Sequence, residues 1–432
     1  MAAALSSQER LITNGRQRWA SRAHRGPSGP DVKQLPGIVF PTAHHFTVSI
    51  FGAQYHADSP SEEKLALINR FDGLIKGAAI HVEELEQNDL PSKVWMSYWA
   101  SPQAFKTWWE SPKTAAFWSA LPADAGFWRE TVSIPATRGM YESNKPQASG
   151  FGHCGEAIPL TAKTGYWGAY RSRMTPDSPE DKFESPLPAV PTPRPLTDKI
   201  RSGRVRVSKF PDNINFVVEG QDYSYMNDNE RGHWNENFDG LTKQWVTNVM
   251  NAGPEKGMVN ARACHAFAGD KQPGATNGAV NGHATNGTNG ANGTNGVNGT
   301  NGHTNGTNGH TNGHSNSIFP GLDYIRQAQI LFWLDLSKME YIGRYDKVHV
   351  KLRKDFFAAY GPGGVMEGGD LLLWVDVAIL KGEEMDAEYV GCYDGTGFLA
   401  YDDHPSFASE VVEASQLPSF FDKPIPSQPI EW

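Results

Sequence analysis

The strongest constraint on the fold is an order of elements that occurs twice along the chain. "HHFTVSIFGAQYH" (44–56) is rich in β-formers, and "SEEKLALINRFDGLIKG" (61–77) places Leu65, Ile68, Phe71, Leu74 and Ile75 at helical spacing. "AAIHVEELEQ" and "KVWMSYWAS" read as strands around the turn "NDLP". "PQAFKTWWESPKTAAFWSAL" opens with Pro, as helices often do, and "FWRETVSIPATRGMY" returns to strand. The order is β-α-β-β-α-β.

The second half reads the same way. "GYWGAYRSRM" (165–174) is expected as its first strand and "WNENFDGLTKQWVTNVMNAG" (234–253) as a helix closed by Gly253. "GMVNARACHAFAG" and "YIRQAQILFWLDLS" are strands, residues 337–360 the next helix, and "DLLLWVDVAIL" the closing strand. Laid over one another, the halves align Lys113 with Lys347 and Ala115 with His349. The expected class is α+β, with two ferredoxin-like halves of the dimeric α+β barrel type. Packed sheet to sheet, their antiparallel sheets form a barrel-like body with a pocket between sheet and helices.

Segments outside this pattern divide the chain. Residues 1–35 are polar and Arg-rich, expected as a disordered tail, with a mitochondrial presequence as the sharper alternative. Residues 273–317 are an Asn/Gly-rich tract that cannot offset the entropy of ordering, so a disordered insertion is expected there. It falls between the two middle strands of the second unit, where a hairpin tip accepts extra length at least cost. "SPLPAVPTPRPL" (185–196) reads as a Pro-rich surface loop. One catalytic domain is then expected over 36–272 plus 318–410, its repeats at about 40–150 and 160–400, with 411–432 as a carboxy-terminal extension.

Composition narrows the function. A net charge of -9 argues against nucleic acid as the main partner. Three cysteines, Cys154, Cys264 and Cys392, with no apolar leader fit a reduced, cytoplasmic setting. No CxxC occurs, which disfavours a cysteine zinc site, and no CxxCH, which excludes covalently attached c-type haem. No run is long enough to span a bilayer, so no membrane partner is expected.

Three groups carry candidate chemistry. His349, in "GRYDKVHVKLRKDFF", shares a helical face with Ile342, Tyr345, Leu352 and Phe356, while Lys347, Lys351 and Lys354 turn outward. An inward imidazole is either a core histidine bonded to a carbonyl or a metal ligand. A lone histidine makes a poor zinc site but can serve as the proximal ligand of haem. Arg171 and Arg173 alternate by two and would face one side of a strand, as solvated edge residues or as donors to an oxygen in a cavity. Glu219, after an apolar run in "INFVVEGQDYS", either ends a strand or is a carboxyl of raised pKa able to act as acid or base. Cys264 reads as core, and His153 as a weak candidate for lining a pocket.

"GYWGAYRSR", "NENFDGLTKQWVTNV" and "FWLDLSKMEYIGRYDKVHVKL" together resemble the haem-containing aldoxime dehydratases, most nearly the fungal phenylacetaldoxime-dehydratase type, over roughly residues 40–400. The resemblance implies haem b, ferrous in the active state, in the pocket of a duplicated ferredoxin-like barrel. It carries the proximal ligand to His349 and the distal arginine to Arg171 or Arg173. The sequence departs from that pattern at Val375, where bacterial members have a distal histidine, and at Glu219, where they have serine. The expected activity is conversion of an alkyl or arylalkyl aldoxime to a nitrile and water, with Glu219 replacing the missing pair. An oxidative haem enzyme and a non-catalytic haem-binding protein on the same fold are the alternatives. The expected partner is a small-molecule aldoxime, with a homodimer left open.

Overall fold

A computed structural model of the chain describes residues 36–39, 45–146, 148–159, 170–271, 319 and 321–411. The tail, the Asn/Gly tract and the extension after Val411 lie outside the described residues. After β1 (Pro36–Val39) the first unit runs β2 (His45–Gln54), α1 (Glu62–Ile75), β3 (His81–Gln87), β4 (Ser92–Trp99), α2 (Pro102–Trp109), α3 (Pro112–Ser119) and β5 (Phe127–Pro135). Ser61 and Ser101 cap α1 and α2, their hydroxyl oxygens accepting from the amides of Lys64 and Ala104. Three connecting strands follow, β6 (Gly139–Ser143), β7 (Glu156–Pro159) and β8 (Arg204–Val207). The second unit comprises β9 (Ile214–Asp222), α4 (Asp228–Asn237), α5 (Asp239–Met250), β10 (Met258–Ala266), β11 (Arg326–Trp333), α6 (Leu336–Tyr345), α7 (Lys347–Tyr360) and β12 (Leu372–Leu380). β13 (Met385–Val390) and β14 (Ser409–Val411) close the described chain.

The strands form one antiparallel sheet in the order β14-β8-β13-β5-β2-β4-β3-β10-β11-β9-β12-β6-β1-β7. Within it, β5-β2-β4-β3 and β12-β9-β11-β10 each show the fourth-first-third-second order of a ferredoxin-like unit. β3 pairs with β10, Leu85 opposite Ala266, and joins the two. The sheet curls so that the inner faces of both units pack together: Val48, Ile50 and Met96 of the first share a core with Phe216, Val218 and Ile330 of the second. The duplication leaves a matching mark in each copy. Gly52 on the first strand faces Trp128 on the last, and Gly220 faces Trp374. In both, the indole lies where a glycine Cβ would stand, and an arginine sits over it, Arg262 at 4.3 Å from Trp128 and Arg326 at 4.7 Å from Trp374.

Two expectations are corrected. The first strand of the second unit is β9, not residues 165–174. Of that segment, 165–169 lie outside the described residues and Tyr170–Ser172 form a 3-10 turn, so Arg171 and Arg173 are not alternating strand positions. β9 holds the central place because Phe216, Val217 and Val218 supply apolar side chains to both faces, as a strand paired on both edges requires. The helix expected over 337–360 is two helices broken at Asp346, whose carboxylate accepts from His349 N at 2.9 Å and starts α7. The break frees Tyr345 from the face it was expected to share with His349, and it is exposed. β10 and β11 pair directly, with a bridge between Lys271 and Tyr324 at the ends of the described segments that flank the tract. Among the described residues no helix is long and apolar enough to cross a membrane.

Candidate active site

The outer faces of the two units end in different ways. In the first, α1–α3 press an aromatic cluster of Phe51, Phe71, Trp95, Trp99, Trp109 and Trp118 against the sheet, filling the space. In the second, α5–α7 cover the sheet but leave a cavity of about 250 Å³. The cause lies in one row of cross-strand neighbours. In the first unit the row reads Trp95, Phe51, Arg129 across β4, β2 and β5. Its counterpart across β11, β9 and β12 reads Gln329, Glu219, Val375. Smaller and more polar side chains open the second copy, and all three line the cavity.

His349 stands in the first turn of α7 and lines the same cavity with Ile342, Leu352 and Phe356. It is half-buried, not deep in the core. Its Nδ1 lies 2.6 Å from the carbonyl oxygen of Gly343. A carbonyl only accepts, so Nδ1 carries the proton and Nε2 keeps its lone pair. Burial lowers the pKa from 6.5, which favours the neutral ring. A neutral imidazole, oriented through a carbonyl and presenting one free nitrogen to an apolar cavity, is the donor set that an axial haem ligand requires. Among the described residues no group of three or more His, Cys, Asp or Glu could hold a metal ion.

Glu219 points from β9 into the cavity. Burial pushes its carboxyl up from 4.5 to about 7, against the opposing pull of a hydrogen bond from Trp245. Trp245 Nε1 donates to Glu219 Oε2 at 3.1 Å, and the same indole stacks on the His349 ring at 4.1 Å between centroids. One side chain of α5 thus touches both candidate groups. Trp245 was not foreseen; its place inside the apolar pattern of a helix gave no sign that it would meet residues from β9 and α7.

The arginines stand at the edge. Arg171 Nε donates to Glu340 Oε2 at 3.0 Å, and its Nη1 bonds the carbonyl of Lys182. Glu340 lines the cavity, so Arg171 reaches the wall through it. Arg173 pairs with buried Glu142 on β6. Neither is among the lining residues, whereas Tyr170 beside them is. Val375 lines the cavity next to Glu219 in register, which places the two departures from the pattern side by side. Cys264 is core, as expected. His153 stacks on His81 at 3.8 Å and does not line the cavity. The rim carries Arg344, Arg353 and Phe357, all exposed.

The fold is shared with solved aldoxime dehydratases. One, OxdRE in complex with butyraldoxime, superposes with a TM-score of 0.60 at 15% identity, covering 87% of this chain and 92% of that one. A second aldoxime dehydratase gives 0.61 at 15% identity, over 87% and 93%. No curated protein sequence matches the chain. Residues 49–398 match the model of the haem-containing dehydratases, and the protein belongs to that family.

Proposed function

We propose that this haem dehydratase converts alkyl or arylalkyl aldoximes, R-CH=N-OH, to nitriles and water, with ferrous haem b held by Nε2 of His349. The observation that carries the reading is a carboxyl with a pKa near 7 in the same cavity as a neutral imidazole with a free nitrogen. When bound, ferrous haem supplies an electron-rich metal for the oxime nitrogen. Arg353 and Arg344, the latter paired with Glu340 at 3.7 Å, stand at the rim as cations toward which the carboxylates of a porphyrin could be directed.

Glu219 does the proton work. Near neutral pH a large share of its carboxyl is protonated, because ionising it would put a charge against apolar walls. It gives that proton to the departing hydroxyl as the N–O bond breaks, and water leaves. The carboxylate so formed takes the hydrogen from the oxime carbon as a proton, and its electron pair completes the triple bond. One proton is given and one returned, so the acid is restored and there is no net redox change. Trp245 aims the carboxyl through its N–H. Neither Arg171 nor Arg173 lines the cavity, so neither is given a contact with substrate; Arg171 acts on the wall through Glu340, which it holds in place. The apolar lining by Val246, Val249, Ile342, Leu352 and Phe356 favours uncharged alkyl or aryl groups.

Glu219→Gln tests the proposal. It should keep haem and lose nitrile formation by about 10²–10⁴-fold, the usual contribution of a positioned acid. Turnover within a few fold of wild type would remove Glu219 from the chemistry. His349→Ala should lose haem or change its absorption spectrum; full haem with an unaltered spectrum would show that iron is held elsewhere.

A further inference from the structure

Gln329 lies on β11 directly opposite Glu219 and is 2% exposed. Its Nε2 has no hydrogen-bond partner among the described residues, although the residue lines the cavity. Native proteins pair nearly all buried polar groups, so an orphaned amide in a cavity wall points to something that binds there. Thr242 Oγ1 and the indole nitrogens of Trp234, Trp333 and Trp374 in the same wall are also without partners among the described residues. Gln329 differs from them in its position, because directly opposed residues on antiparallel strands hold their Cβ atoms about 5 Å apart. A single small group can therefore touch both its amide and the Glu219 carboxyl. The first unit has Trp95 at the matching place, packed in the aromatic cluster with its Nε1 already donating to Asp72. The polar residue is thus confined to the copy that has the cavity.

We propose that Gln329 recognises the hydroxyl oxygen of the oxime, its amide N–H donating to that oxygen and holding it toward Glu219. This rests on the aldoxime reading above. It supplies from β11 a hydrogen-bond donor next to Glu219, where the neighbour on the other side, Val375, has none. An oxime offers an oxygen that accepts, while the nitrile product has none, so the contact favours substrate over product. A site built around a hydrogen bond discriminates strongly against a ligand that lacks the partner.

The test uses the haem-loaded protein and two probes. Phenylacetone oxime carries the hydroxyl but has no aldehydic hydrogen to lose, so it binds without turning over; phenylacetonitrile lacks the oxygen. Gln329→Met should weaken the oxime by about tenfold, the usual effect of one lost buried hydrogen bond. Affinity for the nitrile should stay within about twofold and the melting temperature should not fall. Gln329→His keeps a ring N–H and should retain the preference for oxime, which guards against a Met variant that packs badly. Equal weakening of both probes, or an oxime affinity unchanged in Gln329→Met while wild type still makes nitrile, overturns this assignment and leaves the aldoxime reading standing. A wild-type protein that binds no oxime and makes no nitrile overturns both.

Discussion

Ionisation of Glu219 should be visible in the stability of the protein as well as in its turnover. The carboxyl titrates at 4.5 when hydrated and at about 7 in the fold, where burial disfavours the charged form. Because the folded pKa is the higher one, the native state holds its proton more tightly than the unfolded chain. The associated stability is fully present below 4.5 and is lost as pH rises through about 7. At 1.36 kcal/mol for each tenfold change in equilibrium, the full loss is about 3 kcal/mol. The carboxyl borders a cavity that water can enter, and solvation of the carboxylate there should reduce the loss to about 2 kcal/mol. Glu219→Gln has the same shape and no charge, so it should not show this loss. Urea unfolding of both proteins at pH 5 and pH 8, followed by circular dichroism, gives the difference directly. The Gln variant should gain on wild type by about 2 kcal/mol between the two pH values. Parallel pH profiles would mean that Glu219 titrates as an ordinary hydrated carboxylate, and its role as an acid at neutral pH would fall.

Trp245→Phe keeps an aromatic face for His349 but removes the N–H that lowers the Glu219 pKa. The alkaline fall of nitrile formation should therefore move to higher pH with haem content unchanged, as read from a pH–rate profile beside an absorption spectrum. Gly220→Ala would place a Cβ about 2 Å from the Trp374 ring, which is 2% exposed and lines the cavity. The expected cost is about 1–3 kcal/mol in an unfolding titration, with weaker haem binding. Gly73→Ala in α1, where nothing lies within 4 Å, should instead be neutral or stabilising by up to about 1 kcal/mol.

Much of the architecture could be read locally. Apolar spacing at Ile68, Phe71 and Ile75 marked α1, and all three are buried. The alternation that sends Val217 and Glu219 to one face of β9 and Phe216 and Val218 to the other is likewise written in the chain. Where the reading failed, a local pattern had more than one use. "GYWGAYRSRM" has strand-like composition, yet its arginines are taken up in ion pairs with Glu340 and Glu142, residues far off in sequence. The helix around His349 has continuous spacing, yet Asp346 caps a new helix within it. Capping depends on the turn of the backbone at one residue, which periodicity averages away.

The sequence by itself determined the doubled order of elements, the pairing of the two strands that flank the Asn/Gly tract, and the imidazole of His349 where the other copy has Ala115. These follow from side-chain type and spacing within a dozen residues. Only the tertiary structure decided that Gln329, Glu219 and Val375 form one row, and that Trp245 touches both Glu219 and His349. Such contacts join residues up to 156 positions apart between Glu219 and Val375, set by strand register and by how helices lie on the sheet. The physical reason is that register comes from the summed packing of whole strands. No short window of the chain contains that sum.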